Sequence, residues 1–195
     1  MVYIFLADGF EESEALLPAD ILKRAGLDVC LVSITADKLV ASSHGFKIMA
    51  DAVFTEIDLT QAAALIMPGG MPGAQNLCDF APLREAIIKQ NERGGLLCAI
   101  CAAPMTLGAT GVLKDKRATC YPGFEKYLDC QVYTERLVEE DGHIITGRGP
   151  GAAAEFGFTI AERLTSADCV AQLRYDLYAD YLSAISISAL LRLHI

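Results

Sequence analysis

The sequence predicts an α/β layered sandwich on a mostly parallel sheet. Short, continuous apolar runs at residues 2–7, 28–34, 62–67 and 96–100 read as strands buried on both faces. These runs alternate with segments of helical length. Four of the strands end in distinctive chemistry, at Glu14, Gly69-Gly70, Cys101 and Arg148-Gly149-Pro150-Gly151. An open parallel sheet places its sites at the carboxyl ends of its strands.

The first strand runs straight into Asp8-Gly9, and Glu11-Glu12-Ser13-Glu14 opens a helix to Arg24. Carboxylates in a first turn suit the helix dipole, and Gly26 is a good residue just past the end. Pro18 should kink this helix or delay its regular part. Residues 39–50 alternate around Ser42-Ser43-His44-Gly45 and read as a small hairpin or edge segment. Residues 73–80 and 82–93 look helical and close at Gly94-Gly95. Residues 117–120 and 131–139 are strand-like pieces around a turn and a brief helix. His143 opens another strand, a helix follows from about Ala152 to Leu164, and Ser166 caps a last one from Ala167 to Tyr181. Residues 1–181 form one domain, and 182–195 form an apolar tail expected to pack on the core or on a second copy.

The central stretch is Leu96–Ile100 followed at once by Cys101, two alanines and Pro104. Proline is tolerated in a first helical turn, where its missing N–H had no partner. Cys101 therefore falls on a sharp turn from strand to helix, the geometry of a nucleophile elbow. The helix dipole should favour its thiolate. The plain alternative is a small buried residue.

Around it, Gly69 and Gly70 and the Ala102 amide could supply oxyanion donors, or form an ordinary loop. Glu14 beside a thiolate would have a raised pKa and could shuttle a proton. Glu11 and Glu12 read as solvated helix-start carboxylates. Gly147-x-Gly149-x-Gly151 lacks the spacing of a dinucleotide fingerprint and is interrupted by Pro150, which rejects NAD. Cys98 and Cys101 are formally C-x-x-C, but Cys98 falls mid-strand, which argues against a redox pair. His44, His143 and His194 show no metal-ligand spacing.

Composition narrows the classes. Apolar residues make up 53% and charged residues 21%, so the chain is globular. A net charge of -9 argues against nucleic acid as the main partner. Seven scattered cysteines and no signal peptide point to reduced thiols in the cytoplasm. No apolar run is long enough to cross a membrane.

Several ungapped stretches together resemble the ThiJ/PfpI superfamily, in particular the small single-domain branch that contains the parkinsonism-associated protein deglycase and its bacterial relatives. They are Gly9-Phe-Glu-Glu-Ser-Glu14, Arg24-Ala-Gly26, Met67-Pro-Gly-Gly70, Gly73-Ala-Gln-Asn-Leu77, Ala99-Ile-Cys-Ala-Ala-Pro104, and Thr146-Gly-Arg-Gly-Pro-Gly151 with Glu155-Phe156. The resemblance implies a flavodoxin-like three-layer sandwich and a homodimer. It implies Cys101 as nucleophile, Glu14 as its protonated partner, and the Gly70 and Ala102 amides as oxyanion hole. Gly69, Tyr121, Arg148, Gly149 and Pro150 support the site. Arg24 stands for a buried arginine, and His44 stands where relatives place an arginine that approaches the partner subunit's site. Two departures matter: Ala102 replaces the histidine of the peptidase-like branch, and Tyr121-Pro122 replaces a histidine-proline pair. The implied activity is a cofactor-free glyoxalase III or deglycase acting on methylglyoxal, glyoxal or their adducts. A redox-sensing stress protein or holdase is the alternative, and a cysteine peptidase or amidase a weaker one.

Overall fold

The structure is a computed structural model and describes residues 1–180. The expectation for the 182–195 tail lies outside the described residues. In chain order the elements are β1 (Val2–Leu6), α1 (Glu12–Arg24), β2 (Val29–Ser33), β3 (Leu39–Ala41), β4 (Lys47–Met49), β5 (Ala52–Val53), β6 (Ala64–Met67), α2 (Gly73–Asp79) and α3 (Ala81–Glu92). There follow β7 (Leu96–Ile100), α4 (Pro104–Ala109), β8 (Arg117–Ala118), β9 (Val132–Tyr133), β10 (Val138–Asp141), β11 (Ile144–Gly147), α5 (Ala153–Leu164) and α6 (Ala167–Asp176).

The main sheet has seven strands in the order β10-β11-β7-β6-β1-β2-β5. Every pair is parallel except β10 with β11. The period-2 alternation of side chains divides β1 between two cores. Val2, Ile4 and Leu6 face α1, α5 and α6, beside Leu22, Phe156, Ile160 and Val170. Tyr3 and Phe5 face α2, α3 and α4, beside Leu77, Leu83, Ile87 and Leu107. Both faces are covered, so the strands read as unbroken apolar runs. Each fully buried Leu, Ile or Phe contributes roughly 1.5–3 kcal/mol through burial.

The hairpin is present as β3 and β4, paired antiparallel. The Ser166 hydroxyl caps α6 by accepting the Cys169 amide at 3.2 Å. Three boundaries differ. Residues 131–139 are two strands in two sheets, because β9 pairs with β8 while β10 joins the main sheet. Helix α6 ends at Asp176 rather than Tyr181. Helix α1 runs as one element from Glu12, with Pro18 inside it and buried. Proline there removes only the N–H that would bond the Glu14 carbonyl, and tertiary packing holds the remaining turns.

Candidate active site

Cys101 follows β7 directly and has φ 65°. A non-glycine residue in that region costs about 1–3 kcal/mol and persists only where its surroundings fix it. Here both backbone groups are tied: the Cys101 N–H donates to the Gly147 carbonyl (2.9 Å), and its carbonyl accepts the Tyr121 N–H (2.8 Å). Helix α4 starts at Pro104. The sharp turn expected from the sequence is present, with the thiol at the carboxyl end of the central strand.

Glu14, in the first turn of α1, is 0% exposed. Its Oε2 accepts the Gly69 N–H at 2.8 Å. The Cys101 thiol lies against the same carboxyl group and acts on its pKa, and Oε1 is buried with no hydrogen-bond partner among the described residues. The Gly70 and Ala102 amides lie beside the sulfur and act to lower its pKa. The two glycines are required for this approach. A Cβ on Gly69 would stand 2.7 Å from both Cys101 Cβ and Glu14 Oε2. Gly70 has φ +83°, and its Cβ would stand 2.4 Å from the Glu11 nitrogen. Gly69→Ala is therefore expected to lower stability by about 1–3 kcal/mol, the usual cost of overpacking, and to remove activity by parting the thiol from the carboxyl. Urea denaturation beside an activity assay checks both. Unchanged values in the two would show that the contact relaxes freely.

Burial, foremost, raises the Glu14 pKa to about 7, against the pull of the Cys101 and Gly69 hydrogen bonds. Burial also pushes the Cys101 thiol up to about 12, and the Glu14 charge and hydrogen bond add to this. This corrects the expectation that the helix end favours thiolate. Helix α4 has only six residues, and a neighbouring carboxylate in a dry site outweighs its dipole. The thiol therefore keeps its proton near neutral pH, while the Glu14 carboxyl changes from protonated to ionised as pH rises through about 7. Cys98 lies in the middle of β7, fully buried, and burial raises its pKa well above the ordinary value. That position agrees with its exclusion as a redox partner.

Tyr121, Arg148, Gly149 and Pro150 line one cavity of about 220 Å³ with Leu137 and Ala152. The Tyr121 amide joins this cavity wall to the Cys101 carbonyl. Leu137 and Ala152 had no sequence signal, since each is an ordinary apolar residue until the loops converge.

Two expected supporting residues lie elsewhere. Arg24 is not buried: its side chain is 53% exposed and pairs with Asp20 at 2.8 Å, one turn earlier on α1. It lies ten residues along the helix from Glu14, a rise of about 15 Å. His44 sits on the hairpin turn, 63% exposed, with Nδ1 2.9 Å from Glu12 Oε1. Glu11 and Glu12 are only partly solvated, because this turn covers them and the Ser43 hydroxyl donates to Glu11 Oε2 at 3.1 Å. The ligand atoms of Glu11, Glu12 and His44 lie within 4.8 Å of one another, close enough for a metal, but they already satisfy each other. His143 lies at the opposite end of the sheet, bonded to Asn91 Oδ1 at 2.8 Å, and offers Cys101 no imidazole.

The DJ-1/PfpI family profile matches residues 1–163. The Arabidopsis thaliana protein DJ-1 homolog B is 41% identical over 165 residues, covering 84% of this chain. The chain spans only 38% and 42% of the length of the two Arabidopsis relatives. The Parkinson disease protein 7 homolog of Danio rerio is 35% identical over 175 residues, covering 88% of this chain and 93% of that protein. The protein named glutathione-independent glyoxalase DJR-1.2 of Caenorhabditis elegans is 34% identical over 162 residues, covering 79% and 82%. A DJ-1 superfamily protein from Salmonella typhimurium superposes with a TM-score of 0.86 at 33% identity, covering 91% of this chain and 97% of that one. No helix among the described residues is long and apolar enough to cross a membrane. The strained cysteine, the carboxyl beside it and the glycines that admit both thus lie within the matched region, and the chain belongs to the DJ-1/PfpI family.

Proposed function

We propose that the protein is a cofactor-free, glutathione-independent glyoxalase or deglycase of the cytoplasm, acting on methylglyoxal, glyoxal or their protein and nucleotide adducts. The observation that carries this reading is the buried Glu14 carboxyl, with Oε1 unpartnered among the described residues, beside the Cys101 thiol and the Gly70 and Ala102 amides. The relative named as a glutathione-independent glyoxalase supports the same chemistry.

The steps balance without any added reagent. The Cys101 sulfur bonds to the aldehyde carbon as its proton passes to Glu14, and the Gly70 and Ala102 amides hold the developing oxyanion. A proton then moves from this carbon to the adjacent carbonyl carbon through Glu14, which converts the hemithioacetal to a thioester. Water cleaves the thioester, giving lactate or glycolate and restoring the thiol. The cavity beside Tyr121 and Arg148 receives the remainder of an adduct. Lactate release from methylglyoxal without glutathione is expected to fall to background in Cys101→Ser. Turnover equal to the unmodified protein would end this reading.

A homodimer belongs to the same proposal. The β3–β4 hairpin exposes Leu39, Phe46 and Met49 at 42%, 61% and 65%, an apolar surface suited to a second copy. Sedimentation equilibrium is expected to give twice the chain mass, and a monomer at micromolar concentration would contradict it.

One observation favours a second reading. A sulfinate at Cys101 would find the same two amides and a protonated Glu14 as donors. Mass spectrometry after low peroxide separates the cases: oxidation confined to Cys101 supports a redox-sensing stress protein, whereas oxidation of all seven cysteines together opposes it.

A further inference from the structure

A cavity formed by described residues lies away from Cys101. It measures about 300 Å³ and is formed between α3 and the 54–60 segment that follows β5. That volume meets the lower end of the ligand-pocket range, roughly 300–1,000 Å³. Its floor is apolar, with Phe54, Ile57, Leu59 and Ala86. The floor is also fixed: the Phe54 ring packs edge-on against Phe80 at 5.0 Å and lies 5.9 Å from Phe5.

The rim is cationic. Arg93 donates to the Thr60 and Leu59 carbonyls at 2.9 and 2.6 Å, and to Gln90 Oε1, which ties the loop to the helix end. All three acceptors are uncharged, so the guanidinium keeps its charge. The side chain of Lys89, one turn earlier and also on the rim, makes no ion pair or hydrogen bond among the described residues. Among the described residues, Glu85 is the one carboxylate on the lining, and it forms no ion pair. Nearby Asp58, outside the lining, accepts the Thr60 amide at 2.9 Å and stays an anion that offsets part of the Arg93 charge. The lining thus carries two cations and one anion in a chain of net charge -9. A protein this acidic repels anions generally, so a preformed apolar cavity with an unpaired lysine beside an arginine on its rim stands out as an anion site.

We propose that this cavity binds a small organic carboxylate with an apolar body of one or two rings, its carboxylate held by Lys89 and Arg93. The site shares no lining residue with the Cys101 site and does not depend on the proposed activity.

The test titrates naphthalene-2-carboxylate into the full chain and follows backbone amide shifts. Saturable shifts are expected at Ile57, Thr60, Ala86 and Lys89. Lys89→Glu should weaken binding about fivefold or more at low ionic strength, where exposed charge pairs are least screened. Lys89→Arg should retain it, and neutral naphthalene-2-carboxamide should bind less tightly than the acid. Turnover of methylglyoxal should be the same in Lys89→Glu as in the unmodified protein, which separates this site from the Cys101 chemistry. Absence of saturation, shifts confined to other residues, or equal affinity of acid and amide would each overturn the proposal, as would unchanged affinity in Lys89→Glu.

Discussion

Glu14→Gln is expected to lower kcat/KM for methylglyoxal by about 10²–10⁴-fold, the usual contribution of a positioned acid–base group. Glutamine keeps the size and can still accept the Gly69 N–H, so the active-site geometry should survive while the proton transfer does not. The pH profile gives a sharper readout. The productive state of the pair holds one proton between sulfur and carboxyl. Below the Glu14 pKa of about 7 the pair holds two, so activity should rise as pH increases through that value. With the Cys101 thiol pushed up to about 12, the second proton leaves only far into the alkaline range, and the plateau should be broad. The glutamine variant should lose the inflection near pH 7 together with the rate. A retained inflection would assign it to another group and remove Glu14 from the mechanism.

The same substitution should stabilise the fold at alkaline pH. Glu14 titrates near 4.5 when unfolded and about 7 when folded. Between those values the native state binds more protons, so stability is fully present below the lower value and is lost as pH rises toward the upper. The difference amounts to about 3 kcal/mol at pH 8. Glutamine does not ionise, so Glu14→Gln should be more stable than the unmodified protein by roughly 2–3 kcal/mol at pH 8, and much closer to it at pH 4.5. Urea denaturation at the two values checks this, and working no higher than pH 8 keeps most of the cysteines protonated in both states. A gain independent of pH would point to packing instead. A destabilising carboxyl held beside Cys101 is what a functional site would show, since stability and activity trade against each other there.

The sequence determined the sheet and much of the candidate site. Apolar runs such as Leu65–Met67 and Leu96–Ile100 can only be strands covered on both faces, and Pro104 and Gly94 mark their neighbouring helix ends locally. Cys101 was legible for the same reason, because the elbow is a local event between one strand and one helix. Glu14 and Gly69-Gly70 were legible as strand-end chemistry, but their contact spans 55 residues of chain. Their joint effect on Cys101 needed burial: a helix end read alone argues for thiolate, and only the fold shows a dry carboxyl against the sulfur. Arg24 failed for a related reason. Its place in the chain matched a family motif, while exposure and the Asp20 partner depend on which face of α1 meets the core. His44, Glu11 and Glu12 are brought together by a hairpin folding over a helix end, and no spacing along the chain encodes that. The cavity between α3 and the 54–60 segment is likewise invisible in sequence, because its cations and its aromatic floor come from segments joined only by tertiary packing. Local chemistry thus fixed what each segment could be, and long-range burial decided which groups would share a proton.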